Sequence, residues 1–346
     1  MFEADPPRRY RLASGYVGRL SNLIEFDTQV AIASDGLRQQ PAAAPASARA
    51  LMLGDSFVFG WGVAEGQDVA SLLDAQLPSL RLRNAGTPGF GPPDQVAWLE
   101  AHGLTRPLEL LILAPYLGND LLDATASYGD NRIVDGLVGD LAPPDGMLPK
   151  LDRASHLLRF LKRRVSLDQH LALRRRLGLP APASMIHHVD FLRGHALAPN
   201  ALIVEGRRNT RQAMRRLKTL SERFGFSVMV VLIPHRAQVN RSMWRYVFRQ
   251  VALDPSGYDP TVPERFFSAV AEEHGFPVLN LAPIFRRHRA RRDGRLYFRY
   301  DEHWTPRGHA LAASHILPFV RRAWPPGPVR VEARADARPA WNRGPL

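Results

Sequence analysis

The sequence predicts an α/β protein in which helices cover both faces of a mainly parallel sheet. Short apolar runs alternate along the chain with segments of helical periodicity. Two of these runs, LELLILAP and SVMVVLIP, are apolar at all but one position each, as is typical of strands buried on both faces. At 346 residues the chain is long enough to bury such a core. These observations together favour a layered sheet-and-helix architecture.

We expect five strands and five helices after residue 48. The strands are predicted at 50–53, 80–84, 108–114, 227–233 and 278–281, and the helices at 68–77, 93–102, 205–224, 262–274 and 306–323. Each apolar run is short enough for one strand, and each periodic segment is long enough for a helix. The alternation therefore indicates βα units rather than separate all-β and all-α regions.

Three regions are expected along the chain. Residues 1–48 form an arm with one alternating strand-like run and a Pro/Ala linker, residues 49–325 form the α/β domain, and residues 326–346 form a disordered Pro- and Arg-rich tail. An insertion at about 123–200 interrupts the alternation of predicted strands and helices in the domain. It is a candidate lid over the site, and a solvated insertion with no role in recognition is the open alternative.

Composition excludes several kinds of site. The chain has no cysteine, so disulfides, thiolate zinc sites and a cysteine nucleophile are excluded. The formal charge of +13 comes almost entirely from arginine, which fits either the codon bias of a GC-rich genome or a polyanionic partner. The basic residues lack interleaved aromatics and form no nucleic-acid module, so we expect no nucleic-acid partner. We expect no metal site.

The amino-terminal stretch has no apolar signal-peptide core, and no run of 18 apolar residues occurs. The expectation is a protein without a transmembrane segment, cytoplasmic by default, or periplasmic or exported if residues precede this terminus. The compartment and the oligomeric state stay open.

The stretch LMLGDSFVFGWGV places Ser56 directly after a predicted strand that ends at Gly54. In open parallel sheets, ligands bind beyond the carboxyl ends of the strands, so a reactive side chain is well placed here. A serine that only caps the following helix is the alternative for this motif taken alone.

Three further stretches supply partners for Ser56. They are RNAGTPGFG (83–91), YLGNDLLD (116–123) and YDEHWTPRGH (300–309), and each follows a strand or precedes a helix. We predict Ser56 as nucleophile, His303 as its base and Asp301 as the carboxylate that holds the imidazole tautomer. The oxyanion hole is predicted from the N–H groups of Ser56 and Gly89 and the side-chain amide of Asn119.

Other polar and aromatic residues near these motifs are assigned structural roles or left open. Asp55 and Asp120 are interpreted as structural, and His309 as a structural histidine of the last helix. Trp304 is a candidate substrate-pocket residue, with core packing as the alternative. His187 and His188 are interpreted as surface residues because adjacent histidines lack the spacing of a helical metal pair.

The motifs GDSF, NAGTPGFG, GND and DEHW occur in the order and approximate spacing of the blocks of the SGNH hydrolase (GDSL-type esterase/lipase) superfamily, over residues 51–320. This resemblance implies a flavodoxin-like three-layer α/β/α fold, ester hydrolysis and no cofactor. It matches Ser56 to the nucleophile and Asn119 to the oxyanion residue. Counting five positions from Asn84 selects Gly89 as the oxyanion glycine.

The fourth motif departs from the common family pattern. Asp301 and His303 are separated by one residue instead of two, and TPRGH follows. This form looks like the SGNH branch associated with bacterial exopolysaccharide O-acetylation, which includes alginate O-acetyltransferase-like proteins.

Three functions are therefore weighed. The favoured one is a serine esterase that removes a short acyl group such as acetyl from a carbohydrate or another alcohol through an acyl-enzyme. An O-acetyltransferase acting on a bacterial exopolysaccharide would use the same residues. A non-catalytic glycan-binding protein is the third, and retention of all the expected side chains argues against it.

Overall fold

The computed structural model describes residues 1–5, 9–22, 25–42, 46, 48–125, 131–134, 137–140, 191–251, 253–289 and 295–323. The predicted tail, His187, His188, part of the linker and most of the candidate lid lie outside these residues. Two short strands are described within the insertion.

The strands of the protein are β1 (Phe2–Ala4), β2 (Tyr10–Leu12), β3 (Val17–Ser21), β4 (Asp27–Ala31), β5 (Ala48–Gly54), β6 (Leu80–Gly86), β7 (Leu110–Ala114), β8 (Asn131–Val134), β9 (Leu137–Asp140), β10 (Ser227–Leu232) and β11 (Val278–Asn280). The helices are α1 (Ser56–Phe59), α2 (Val69–Asp74), α3 (Pro92–Ala101), α4 (Asp120–Asp123), α5 (Ala201–Phe224), α6 (Arg236–Val239), α7 (Arg241–Val251), α8 (Val262–Glu273), α9 (Ala282–Arg289) and α10 (Pro306–Ala323). Short 3₁₀ turns occur at Gly103–Thr105 and Pro255–Gly257.

The central sheet has five strands in the order β11-β10-β7-β5-β6, and every neighbouring pair is parallel. Read from β6 to β11 and numbered by their succession in the chain, these five strands have the order 2-1-3-4-5, which is the flavodoxin-like order. The predicted α/β class and five-stranded parallel sheet are therefore confirmed. The first strand, β5, lies at the point where the strand order reverses, which is where ligands bind in such sheets.

Alternate residues of the strands pack into two hydrophobic layers, one on each face of the sheet. Met52 and Ile112 face α2, α9 and α10, whereas Leu51 and Leu111 face α3, α5 and α8. This alternation follows from the period of two in a strand. Because both faces are covered, the protein has the three-layer α/β/α architecture.

The amino-terminal arm, residues 1–42, forms two antiparallel hairpins, β1–β2 and β3–β4. The sequence predicted one strand here. None of the four strands has two full apolar-polar alternations, so the periodicity that predicts a strand was weak. In the described part of the chain, none of the helices combines the length and the apolar character needed to cross a membrane.

Candidate active site

The nucleophile candidate lies at a sharp strand-to-helix turn. β5 ends at Gly54 and α1 begins at Ser56, with the buried Asp55 as N-cap. The Asp55 carboxylate accepts the N–H of Phe57 at 2.8 Å. A Cβ atom on Gly54 would lie 2.3 Å from Val58 Cγ2, so the turn requires a residue without a side chain. Ser56 is thereby held just beyond the carboxyl end of β5.

The neighbouring strand β6 holds α1 in place. Asn84 is fully buried, and its Nδ2 donates hydrogen bonds to the Val58 carbonyl and to Asp68 Oδ1, each at 2.8 Å. At Gly86 a Cβ atom would lie 2.2 Å from the amide nitrogen of Phe59. The backbone of α1 therefore packs directly on β6, which fixes the position of Ser56.

The three predicted triad residues form a continuous hydrogen-bonded chain. His303 Nε2 lies 2.7 Å from Ser56 Oγ, and His303 Nδ1 lies 2.6 Å from Asp301 Oδ1. The side chains of His303 and Asp301 are 22% and 16% exposed, so the site is partly buried and still accessible from the surface. This is the geometry in which imidazole takes a proton from the serine while the carboxylate holds its other nitrogen.

The one-residue spacing between Asp301 and His303 has a backbone explanation. Glu302 has φ +73°, and among the described residues it is the only non-glycine with positive φ. Its carboxylate lies 3.3 Å from His235 Nε2. On the other side of the loop, the N–H of Phe298 donates to the His303 carbonyl at 2.8 Å. The left-handed residue turns the chain, so Asp301 can reach His303 with one residue between them.

The predicted oxyanion donors follow the ends of three adjacent strands. Ser56 follows β5, Gly89 follows β6 and Asn119 follows β7, and Gly54 at the end of β5 is in register with Gly86 and Ala114 of its two neighbours. Within the described residues, the amide N–H groups of Ser56 and Gly89 and the side chain of Asn119 have no hydrogen-bond partner. These donors remain available for a developing negative charge.

The loop that carries Gly89 is held by the amino-terminal arm. Gly89 has φ +79°, and its carbonyl accepts a hydrogen bond from Arg9 Nη1 at 2.7 Å. The Tyr10 hydroxyl donates to the Pro88 carbonyl at 2.7 Å. Burial raises the pKa of the Tyr10 phenol, so this hydroxyl stays protonated and keeps donating. No local pattern in the sequence signals these contacts, since they join residues about 80 positions apart.

Two buried carboxyl groups lie beneath the site. Burial raises the pKa of Asp55 to about 6, against the opposing effects of the Phe57 hydrogen bond and the charge of His303. Burial also raises the pKa of Asp120, reinforced by the charges of Asp55 and Asp123, while its Oδ2 accepts the Tyr116 N–H at 3.0 Å. Both carboxyl groups hold backbone turns, as their predicted structural role requires.

Trp304 does not line a pocket, which corrects the prediction made for it. Its side chain is fully buried, stacked on Phe285 with centroids 5.2 Å apart and edge-on to Phe57 and His309. Its large apolar surface makes it a core residue below the loop. Trp61 is a partly exposed aromatic residue beside the site, with its ring centroid 6.0 Å from that of His303.

His309 is also buried, and burial lowers its pKa to about 3. It is therefore neutral at physiological pH, and it packs on Trp304 as a structural residue. In the described part of the chain, no three His, Asp or Glu side chains are grouped as ligands of a metal ion.

Comparison with known proteins gives a family match for part of the chain. Residues 191–338 match the family model described as the SGNH hydrolase-like domain of acetyltransferase AlgX. The matched range contains Asp301 and His303 and does not extend to Ser56. None of the curated protein sequences compared with the chain matches it.

Several solved structures are similar to this chain at low identity. A member of the lipolytic G-D-S-L family from Veillonella parvula is 14% identical, with a TM-score of 0.39, and the match covers 79% of this chain and 98% of that one. The acetyl xylan esterase AlAXEase is 11% identical, with a TM-score of 0.43 and coverage of 79% and 99%. A variant of an acetyl xylan esterase from Geobacillus stearothermophilus is 12% identical, with a TM-score of 0.38 and coverage of 79% and 94%.

An SGNH hydrolase-like domain points to an esterase or an acyltransferase. The family match over residues 191–338, together with the five-stranded parallel sheet, confirms the resemblance to the SGNH hydrolase superfamily and its AlgX-like branch that the four motifs indicated.

Proposed function

We propose that the protein is a serine-dependent esterase that removes a short acyl group, such as acetyl, from a carbohydrate or another alcohol. The observation that carries this proposal is the hydrogen-bonded chain from Ser56 Oγ through His303 to Asp301. A serine hydroxyl is a weak nucleophile until a base takes its proton, and this chain supplies the base and the group that orients it.

In the first half of the reaction, Ser56 Oγ attacks the acyl carbonyl carbon and His303 Nε2 takes the hydroxyl proton. The carbonyl oxygen becomes an oxyanion that accepts hydrogen bonds from the amides of Ser56 and Gly89 and from the side chain of Asn119. The intermediate collapses with cleavage of the ester C–O bond. His303 returns its proton to the departing alkoxide, which leaves an acyl group on Ser56.

In the second half, a hydroxyl group attacks the acyl-enzyme and His303 takes its proton. Attack by water releases the free acid, whereas attack by a sugar hydroxyl forms a new ester. Ser56 leaves as the alkoxide and recovers the proton from His303, so the enzyme is regenerated in both cases. The residues that form and break the acyl-enzyme are the same for hydrolysis and for transfer.

Transfer of an acetyl group to a carbohydrate hydroxyl is the second candidate. The observation that favours it is the match of residues 191–338 to a family model named for an acetyltransferase. A glycan-binding protein without catalysis is disfavoured, because binding alone does not require a serine, a histidine and an aspartate in this chain of hydrogen bonds.

The test is the turnover of p-nitrophenyl acetate by wild type, Ser56→Ala and Ser242→Ala, with and without a chito- or manno-oligosaccharide acceptor. Ser242 is an exposed serine of α7 and serves as the matched control. We expect turnover by wild type and Ser242→Ala, and a fall of at least about 1,000-fold in Ser56→Ala. Acetylated acceptor would favour transfer over hydrolysis.

Equal turnover by wild type and Ser56→Ala would contradict the proposal. Thermal unfolding of each variant would show whether a loss of rate reflects a loss of fold.

A further inference from the structure

The tip of the β3–β4 hairpin contacts the loop that carries Asp301 and His303. The carboxylate of Glu25 accepts hydrogen bonds from three consecutive backbone N–H groups, those of Arg299, Tyr300 and Asp301. The bonds to Tyr300 and Asp301 measure 2.8 and 2.9 Å. We name residues 297–304 the acid–base loop.

Glu25 is itself held in position by its own turn. Asn22 Oδ1 accepts the N–H groups of Glu25 and Phe26 at 2.8 and 3.2 Å. The ring of Phe26 packs on Phe298 of the acid–base loop with centroids 5.2 Å apart. Gly62 lies against both rings, where a Cβ atom would come within 2.7 Å of Phe26 and 2.9 Å of Phe298. The hairpin tip is therefore packed on the loop as well as hydrogen-bonded to it.

We propose that Glu25 is a positioning residue for the Asp301–His303 pair. The loop needs such support, because Arg299 and Tyr300 are exposed and Glu302 is held in the left-handed conformation. Hydrogen bonds to an ionised carboxylate are about twice as strong as neutral ones. One of them fixes the backbone of Asp301, whose own carboxylate orients His303.

The consequence for catalysis follows from the distances in the site. The Asp301–His303 and His303–Ser56 contacts of 2.6 and 2.7 Å leave little tolerance for movement of the loop. A misplacement of about 1 Å can cost about 100-fold in rate. Glu25 acts through Asp301, so it contributes to turnover without contacting substrate. This inference rests on the proposed function.

The first experiment compares wild type, Glu25→Gln and Glu3→Gln in the p-nitrophenyl acetate assay. The Glu25→Gln change keeps the size of the side chain and replaces one acceptor oxygen with a donor, so the amide cannot satisfy all three N–H groups. We expect kcat to fall about 10-fold or more while KM stays near the wild-type value. Glu3 lies in the same arm and pairs with Arg11 at 2.7 Å on the surface, so Glu3→Gln should leave kcat unchanged.

The second experiment repeats the Glu25→Gln change in an Asp301→Asn background. If Glu25 acts through Asp301, Glu25→Gln should lower kcat only slightly once Asp301 has lost its charge. Both substitutions then remove the same contribution, which is the orientation of His303. An equal fold-loss in both backgrounds would overturn the positioning role and indicate general destabilisation.

Glu25→Asp provides the conservative variant, which keeps the charge at a shorter reach. It should retain more activity than Glu25→Gln, and it keeps the proposal testable if Glu25→Gln does not fold. Wild-type kcat in a folded Glu25→Gln variant, with turnover still dependent on Ser56, would overturn this inference alone. Absence of Ser56-dependent turnover in the wild type would overturn the proposed function, and this inference with it.

Discussion

At the scale of single residues, the acid–base loop brings into contact two side chains that are separated by a single residue in the sequence. Asp301 contacts His303 at 2.6 Å because Glu302 between them adopts φ +73°. A carboxylate in this position selects the imidazole tautomer that can accept the serine proton and stabilises the imidazolium that forms. The D-x-H spacing is therefore compatible with the same hydrogen-bonded chain that the longer spacing of the family would give.

Asp301→Asn is predicted to lower kcat for an acetyl ester by about 10,000-fold while leaving the fold intact, because an amide can hold the wrong imidazole tautomer. The measurement is the initial rate on p-nitrophenyl acetate. Asp27→Asn is a suitable control, since Asp27 belongs to an exposed ion pair with Arg19 and such pairs contribute little. If Asp301→Asn kept the wild-type rate, Asp301 would have no part in orienting His303.

The sequence could predict which three residues form the hydrogen-bonded chain, because each lies in a short motif at the end of a strand or the start of a helix. Ser56 follows an apolar run, and His303 precedes a helix that begins within three residues. For Trp304 a pocket role and core packing both stayed open, because sequence does not distinguish a buried tryptophan from a pocket wall. Glu25 carried no signal at all, since it bonds backbone amides about 275 positions away.

At the scale of secondary structure, glycines at two strand ends set how closely α1 approaches the sheet. Gly86 allows the backbone of α1 to lie against β6, and Gly54 allows the turn into α1. The five strands of the central sheet agree with the prediction to within about two residues, whereas five helices were not predicted: α7, α9 and the four-residue helices α1, α4 and α6. Four residues are too few to show helical periodicity, so these helices depend on tertiary contacts and caps.

Gly86→Ala is predicted to destabilise the protein by about 1–3 kcal/mol and to reduce turnover, because the new Cβ would lie 2.2 Å from the Phe59 nitrogen. Displacement of α1 would move Ser56 away from His303. The measurements are urea unfolding and kcat. At exposed Gly257 a Cβ meets nothing within 4 Å, so Gly257→Ala should leave kcat unchanged. A Gly86→Ala protein with wild-type stability would show that the close packing of α1 on β6 is wrong.

Helix ends show where local chemistry decides a boundary. α5 begins at Ala201 rather than at the predicted 205, because the side chain of Asn200 accepts the Ile203 N–H at 2.9 Å as an N-cap. An N-cap side chain thus begins this helix one turn before its apolar periodicity does. By contrast, α10 runs from Pro306 to Ala323 as predicted, since proline is well placed in the first turn.

At the scale of the whole molecule, the fold brings four distant motifs to one edge of the sheet. β5 lies where the strand order reverses, and its neighbours β6 and β7 carry the loops with Gly89 and Asn119. The amino-terminal arm adds contacts to two of the site loops, through Arg9 and Tyr10 on one side and Glu25 on the other. The convergence of the four motifs follows from the sheet topology and could be predicted from the sequence. The contacts of the amino-terminal arm with the site loops could not.

Buried histidines make the stability of the protein depend on pH. Burial lowers the pKa of His309 from 6.5 to about 3, so the folded state holds the imidazole neutral while the unfolded chain protonates it. The contribution of the neutral, buried imidazole to the free energy of unfolding is fully present above pH 6.5 and is lost as the pH falls from 6.5 toward 3. By pH 5 the loss amounts to about 2 kcal/mol.

His309→Gln is predicted to reduce the difference in unfolding free energy between pH 7.5 and pH 5 by about 2 kcal/mol, even if the variant is less stable overall. Urea unfolding at the two pH values measures it. The same difference in wild type and variant would mean that His309 titrates alike in the folded and unfolded states.

The central claim is that Ser56 carries the acyl group during turnover. The most direct measurement is peptide mass spectrometry of protein mixed with p-nitrophenyl acetate and quenched in acid within the first turnover. We predict one acetyl group on the peptide that contains Ser56 in wild type and in Ser242→Ala, and none in Ser56→Ala. Ester turnover that persists in Ser56→Ala, with acetyl on another residue or on none, would contradict the account.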